Sequence, residues 1–317
     1  NQKLVTSAAA LDLLGSTHRY ETVLHYNGST DGTTMRGDLV LEGSGDPTFG
    51  SSEVRGKDPF EVWAQRLADM GVQRIEGRLI GDDDAFDDNP YPEGWSVDYI
   101  TQQKGRHMGN SAGGLAYRDN VVPVEVRATS PGSPPSVEVR PPNVVSVTNE
   151  AVTSSRWRGT TLQVDRTFST NELVLTGSVA RSYDGTIAVP VSDPTAFVLR
   201  SFEHRLQDEG IETDLELIDG DDLDDAPPKG EPLFVDYSRP LGDIVSVLNK
   251  ESNNFYAEQV FRSFGWGGST EGAARRTKSF LREAGIDTRK LRIHDGSGLS
   301  RKELLTPQSI VKLLAPM

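Results

Sequence analysis

Apolar residues at Leu241, Ile244, Val245 and Leu248 recur at i, i+3, i+4 and i+7, the spacing that puts one apolar stripe on a helix. Phe255, Val260, Phe261 and Phe264 repeat the pattern more roughly just downstream. Between them stands a polar knot, Lys250-Glu251-Ser252-Asn253-Asn254. Asn and Ser are common turn formers, so the knot reads as a helix-to-helix turn. It reads equally as side chains that two packed helices would hold toward a cleft.

The same reading assigns most of the chain. Residues 3–14 are Ala/Leu-rich and stop at Gly15, which predicts a buried helix with a glycine just past its end. Lys3 is the odd charge in its first turn. From Tyr20 to Val40 the pattern turns strand-like around Asn27-Gly28 and Asp31-Gly32, and predicts a hairpin running into Gly43-Ser44-Gly45-Asp46-Pro47. Pro59 to Met70 carries Phe60, Trp63, Ala64 and Leu67 on one helical face, and Val72 to Ile80 reads as a strand. Between about 121 and 192 period-2 alternation takes over, as in Val137-Glu138-Val139 and Leu173-Val174-Leu175, and predicts an all-β insert. Pro194 to Gly210 is again helical and Ile211 to Ile218 again a strand. Helix, Gly-Val or Gly-Ile, strand therefore occurs twice, which suggests two halves of one α/β layer.

An acidic, proline-containing run from Asp219 to Pro232 reads as a linker. Beyond the knot come a helix with Ala273, Ala274, Thr277, Phe280, Leu281 and Ala284, a short strand Leu291 to Ile293, and the turn Asp295-Gly296-Ser297-Gly298-Leu299-Ser300-Arg301. Thr306 and Pro307 then open a last helix that Met317 is expected to end within.

Composition narrows the function classes. The 317 residues hold 47 acidic and 33 basic side chains for a net charge of -14, which argues against a nucleic-acid partner bound through its phosphates. No apolar run approaches the roughly 20 residues of a membrane span. Zero cysteines exclude disulfides, thiol nucleophiles and thiolate metal sites. Among the 33 basic residues 9 are Lys and 24 Arg, and acidic clusters sit at Asp82-Asp83-Asp84, Asp87-Asp88 and Asp219 to Asp225, which suggests a surface adapted to high salt.

A Ser/His/Asp triad is not supported, since none of His18, His25, His107, His204 and His294 stands in a recognisable motif and no Gly-x-Ser-x-Gly elbow occurs. No metal or other cofactor is expected either, because there is no His-Glu-x-x-His and the Asp219 run lacks a calcium loop's spacing. Lysine remains as a base. Burial and neighbouring positive charge lower an ammonium's pKa until it can activate a serine, and Lys3 and Lys250 suit that role.

Asn1-Gln2-Lys3 followed by Leu-Val-Thr-Ser-Ala-Ala-Ala-Leu resembles the tail of a Ser-x-x-Lys motif, and Ser252-Asn253-Asn254 resembles Ser-x-Asn. With Arg36-Gly37-Asp38-Leu39-Val40, Gly45-Asp46-Pro47-Thr48, Gly94-Trp95 and the Asp295 to Arg301 turn, the ordered set resembles the class C, low-molecular-mass penicillin-binding proteins of the D-Ala-D-Ala carboxypeptidase/endopeptidase family. The resemblance runs through nearly the whole chain. It implies an α/β (α+β) transpeptidase-like domain of the penicillin-binding-protein and β-lactamase type, split between 1–20 and 233–317. An inserted α/β domain (21–120 and 193–232) and a nested β-rich domain (121–192) would interrupt it.

The activity so implied is cleavage of peptidoglycan stem peptides through a penicillin-sensitive acyl-serine, outside the cytoplasmic membrane, at the periplasm or cell surface. Peptidoglycan stem peptides and β-lactam antibiotics are the partners, and peripheral membrane association is compatible with it. Lys3 would take the proton of a serine standing immediately before Asn1, Ser252 would relay a proton to the leaving D-alanine, and Asn254 would hydrogen-bond the substrate backbone. Lys250 would add positive potential. Asp98 would meet the amino end of a diaminopimelate side chain, or be a plain surface carboxylate. The Ser297-Gly298 turn is expected to brace the cleft. The Lys-Thr-Gly strand of the family would follow Met317, so a chain bounded by Asn1 and Met317 is expected not to be acylated. A related β-lactamase-like esterase and a non-catalytic peptidoglycan-binding protein are the alternative readings.

If the acidic surface serves life in salt, the thermal midpoint of the chain rises from dilute buffer to molar KCl. Unfolding in molar salt, with maximal stability in dilute buffer, excludes that adaptation.

Overall fold

A computed structural model of the chain describes residues 1–51, 53, 56–101, 110–157 and 159–315. Helix α1 (Gln2–Leu14) ends at Gly15, whose φ of 87° lies in the left-handed region. Strands β1 (Glu21–Asp31) and β2 (Thr34–Gly43) form an antiparallel hairpin in which Asp31 faces Thr34. The reversal is therefore at Gly32-Thr33. Asn27-Gly28, expected as a turn, lies inside β1, where Gly28 faces Gly37 of β2.

Helix α2 (Pro59–Asp69) leads to β3 (Arg74–Asp82), and α3 (Val97–Thr101) is a single turn. The β-rich part follows as β4 (Val121–Arg127), β5 (Ser136–Val139), β6 (Ser146–Asn149), β7 (Val152–Thr153), β8 (Gln163–Arg166), β9 (Glu172–Thr176), β10 (Ser178–Val179) and β11 (Asp184–Pro190). These build two three-stranded sheets, in the orders β11-β4-β5 and β6-β9-β8, and a β7-β10 pair. Helix α4 (Pro194–Asp208) then leads to β12 (Glu212–Asp219).

The duplicated helix-strand pattern is real in three dimensions. Each unit opens with an Asp cap before Pro: Asp58 accepts from Phe60 N–H and Asp193 from Ala196 N–H. Each closes at a positive-φ glycine, Gly71 or Gly210, after which Val72 N–H reaches the Leu67 carbonyl and Ile211 N–H the Leu206 carbonyl. Their strands β3 and β12 lie side by side and parallel, and α2 packs against α4.

The sheet they share has five strands in the order β12-β3-β2-β1-β13. Its last member, β13 (Glu231–Tyr237), pairs antiparallel with β1 and had been read as linker up to Pro232. The boundary expected at 233 falls inside it. Charged Asp219 to Asp225 masked the strand by making the whole stretch look polar. Likewise the expected strand Leu291 to Ile293 amounts to a single bridge, Arg292 to Leu304.

Helices α5 (Leu241–Lys250), α6 (Asn254–Ser263), α7 (Thr270–Glu283) and α8 (Pro307–Leu314) complete the chain; Met317, expected within the last helix, lies outside the described residues. Two hydrophobic cores result. One gathers residues 24–234 from the five-stranded sheet, α2, α4 and the β-rich sheets, and runs continuously through them. The other gathers residues 5–20 and 241–313, with Ala116. Among the described residues no helix is long and apolar enough to cross a membrane.

Glycines at Gly28, Gly37 and Gly77 stand opposite one another across β1, β2 and β3. A Cβ on Gly77 would sit 2.1 Å from the Gly37 carbonyl oxygen, at a φ of 132°. Gly77→Ala is expected to lower stability by about 2–3 kcal/mol. Gly71→Ala, at a φ of 89° with no atom within 4 Å of the added carbon, is expected to cost about 1 kcal/mol. Urea midpoints at constant m-value measure both; equal losses would show that the strand contact is not the cause.

Candidate active site

The polar knot is a turn, and it brings its last residue to Lys3. Helix α5 ends on Lys250, Ser252 takes a left-handed φ of 53°, and Asn253 caps α6 by accepting from the Tyr256 N–H at 3.0 Å. One left-handed residue thus reverses the chain and places Asn254 in the first turn of α6. Its Oδ1 accepts from Lys3 Nζ at 2.5 Å, across 251 positions of sequence.

Helix α1 reaches α6 because its packed face is small. Ser7, Ala8, Ala9 and Ala10 are all buried, and side chains of that size let helix axes approach closely. Three residues of its first turns grip one loop: Gln2 Nε2 donates to the Asp295 carbonyl at 3.0 Å, Thr6 Oγ1 to that of Gly296 at 2.7 Å, and Lys3 Nζ to that of Ser297 at 3.0 Å.

The same loop is held from behind by Glu258 of α6. Its carboxyl group accepts from the Gly296 N–H at 3.0 Å and the Ser297 N–H at 2.8 Å. Asp295 closes the turn on itself, accepting from the Gly298 and Ser300 N–H groups at 2.8 and 2.6 Å, and also takes the Trp95 indole N–H at 2.9 Å. Gly298, at a φ of 84°, leaves only 3.0 Å between a hypothetical Cβ and the Cβ of Gln2.

Charge in the cluster is tightly balanced. Burial lowers the pKa of Lys3, while Glu258 and then Asp295 pull it back up. Burial, reinforced by Asp295, pushes Glu258 up to about 8, against the opposing effect of its hydrogen bonds to the loop. A buried lysine whose ammonium is disfavoured is a competent general base.

The remaining expected residues sit less centrally. Ser252 is exposed and makes no hydrogen bond among the described residues; Lys250 is exposed at the end of α5 with no ion pair among them. Asp98 is exposed on α3, a segment joined to the site through Trp95. His107 lies outside the described residues. Elsewhere, Asp83, Asp219 and Asp221 bring carboxylate oxygens within 4.8 Å of one another, and burial followed by like-charge neighbours raises Asp219 and Asp221 to about 6. A cleft of about 760 Å³ beside Asp58, Arg118 and Asp236 shares no residue with the Lys3 cluster; convergent polar groups, not volume, mark the site.

Sequence reading missed Glu258, Gln2 and Thr6. Glu258 follows Asn254 by four positions, and i, i+4 residues share a helix face, so it was recoverable from the motif. Gln2 and Thr6 carry no such signal.

The D-Ala-D-Ala carboxypeptidase 3 (S13) family model matches residues 1–317. The D-alanyl-D-alanine carboxypeptidase of Actinomadura sp. (strain R39) is 30% identical over 333 aligned residues, covering 99% of this chain and 59% of the relative. D-alanyl-D-alanine carboxypeptidase DacB of Haemophilus influenzae is 25% identical over 322, covering 99% and 64%. The chain thus spans about six tenths of the length of these relatives. The crystal structure of penicillin binding protein 4 (dacB) from Haemophilus influenzae superposes with a TM-score of 0.80 at 24% identity, covering 99% of this chain and 68% of that one. A second structure of that protein, complexed with a novel β-lactam, gives 0.72 at 22%, covering 99% and 67%.

A carboxyl group held above its unfolded value binds more protons in the folded state between the two pKa values, so it subtracts stability as pH rises. For Glu258 that window runs from about 4.5 to about 8. Glu258→Gln is therefore expected to flatten the fall of thermal midpoint between pH 5 and 8, leaving the slope due to Glu303, which burial also raises to about 8, and to Asp46, Asp219 and Asp221, which burial raises to about 6. An unchanged slope would mean that Glu258 does not carry the proton.

Proposed function

The chain belongs to the D-Ala-D-Ala carboxypeptidase 3 (S13) family, and from that premise we propose that it supplies the lysine base and Ser-x-Asn segment of a serine D-Ala-D-Ala carboxypeptidase/endopeptidase. Its substrate is the peptidoglycan stem peptide, its place of action lies outside the cytoplasmic membrane, and β-lactams acylate the same serine. The 2.5 Å bond between Lys3 Nζ and Asn254 Oδ1 carries this reading. Two motifs 251 residues apart meet only if the intervening segment is an insertion in one domain.

The Ser-x-x-Lys pattern puts the nucleophile immediately before Asn1. Helix positions i and i+3 are neighbours on one face, so Lys3, whose ammonium form partial burial disfavours, takes the serine proton as the serine oxygen bonds to the D-Ala-D-Ala carbonyl carbon. The C–N bond then breaks. Ser252, exposed in its turn, passes a proton to the departing D-alanine amine, and water later releases the acyl group by the reverse proton path. Asn254 positions both Lys3 and the substrate backbone. Lys250 contributes positive potential toward the substrate's terminal carboxylate, and Asp98 meets a substrate ammonium.

In the protein carrying that serine, Lys3→Met is expected to slow acylation by fluorescent penicillin about 10²–10⁴-fold without abolishing folding. Labelling at the parental rate would remove Lys3 as the base. Absence of both labelling and D-alanine release in the unsubstituted protein would favour a non-catalytic peptidoglycan binder. Digests of cross-linked and uncross-linked muropeptides apportion endopeptidase and carboxypeptidase action.

A further inference from the structure

Among the described residues, two arginines are buried with their guanidinium groups inside the fold. Arg262 of α6 reaches the Asp87 carboxylate as well as the carbonyls of Asp87, Asn89 and Gly268. Arg166, the last residue of β8, has no such counter-charge. It is 5% exposed, and among the described residues its partners are all neutral. Nη1 donates to the Pro190 carbonyl and Ser192 Oγ, both at 2.8 Å, and Nη2 to the Ile100 carbonyl at 2.7 Å and Tyr91 Oη at 3.3 Å. Its Nε–H has no partner there. Arginine stays protonated in proteins, and an unpaired buried charge is costly enough to be kept only with a reason.

Three of those partner residues, Tyr91, Ile100 and Ser192, line a groove of about 410 Å³ with Trp95, Val97, Phe168 and Ser169. The groove wall is aromatic. Tyr91 lies 6.3 Å, centroid to centroid, from both Trp95 and Phe168, and Phe168 and Val97 are about half exposed (49% and 54%). No lining residue carries a charge. Tyr91 Oη accepts from Arg166 and gives its own proton to no acceptor among the described residues, so the cation is relayed to the groove as a polarised hydroxyl donor.

The groove is also continuous with the Lys3 site. Trp95 hydrogen-bonds Asp295; Ser300 Oγ donates to the Glu93 carbonyl at 2.7 Å, Arg301 N–H to that of Gly94 at 3.2 Å, and Lys302 pairs with the Glu93 carboxylate. These contacts join the Trp95 wall of the groove to the loop that holds Lys3.

We propose that this groove is a subsite for a carboxylate-bearing residue of the substrate peptide upstream of the scissile bond, its hydrocarbon lying on Tyr91, Trp95 and Phe168 and its carboxylate taken by the Tyr91 hydroxyl backed by Arg166. The orphaned cation favours an anion over a neutral sugar ring, which the aromatic wall alone would also accommodate. The choice of peptide rests on the peptidase reading above; the anion-binding character does not.

Binding is measured on this chain, without turnover, by calorimetry and amide-resolved NMR with the tripeptide L-Ala-γ-D-Glu-L-Lys and its counterpart in which the free glutamyl carboxylate is an amide. The acid form is expected to bind about tenfold tighter, with shifts centred on Tyr91 and Phe168 and with affinity falling as salt rises. Tyr91→Phe, which removes only the hydroxyl, should abolish the acid-over-amide preference; Arg166→Met should do the same. If Arg166→Met does not fold, Tyr91→Phe still decides. Equal affinity for the two peptides, retention of the preference in Tyr91→Phe, or occupation of the groove by the GlcNAc-MurNAc disaccharide or free D-alanine instead of the tripeptide would overturn the proposal. Acid-selective binding without D-alanine release by the serine-bearing protein would leave the subsite standing and remove the peptidase reading.

Discussion

The fold depends on one helix that has no solvent face. Every residue of α6 from Asn254 to Arg262 is buried, and five of them are polar side chains, each committed to a different piece of chain. Asn254 takes Lys3 of α1, Tyr256 gives its hydroxyl to Ser51, and Glu258 holds the 296–297 backbone. Gln259 both donates to and accepts from the Gly113 peptide, and Arg262 holds the 87–89 segment. A buried polar group costs free energy unless it is paired, so each of these positions accepts few arrangements of its partner. Apolar packing alone would allow those loops to slide; the polar contacts fix their register.

That constraint explains how a segment of more than 200 residues can stand between α1 and α5 without blurring the site. Both ends of this intervening segment pass through the edge of one sheet: β1 follows α1, and β13, paired with β1, returns to α5. Entry and exit strands are hydrogen-bonded neighbours, so the inserted part is closed on itself before the helices meet. The Gly113 and Asp87–Asn89 contacts of α6 then tie the insertion back to the helical core.

How much of this was legible in sequence follows from how local each signal is. The paired Asp-Pro, Gly-Val or Gly-Ile units were readable because caps, stops and apolar faces all lie within one helix and its strand. Strand β13 was not, since its neighbours are acidic and its pairing partner is β1, some 200 residues earlier. In the site, Lys3 and Asn254 were found through their motifs, whereas Gln2 and Thr6 act only through carbonyls of a distant loop that no residue pattern announces. Arg166 shows the same limit. In sequence it is one of 24 arginines, set on an alternating strand; only the neutrality of its partners among the described residues gives it meaning, and that is a property of the assembled structure.

The two buried acids around Lys3 set a condition on any base it can be. Glu258 and Asp295 both favour its ammonium form, and burial disfavours it. An ionised acid at either position favours the charged lysine and so opposes the lowering by burial. The raised Glu258 pKa resolves the conflict: with its proton retained, one anion fewer faces Lys3, yet the carboxyl oxygens still accept from the Gly296 and Ser297 N–H groups. The Ser297 carbonyl, fixed by that contact, in turn accepts from Lys3. Glu258 therefore shapes the loop through the backbone it holds while, protonated, adding no negative charge beside Lys3. A glutamate at this position serves both ends only because α6 is dry on every side.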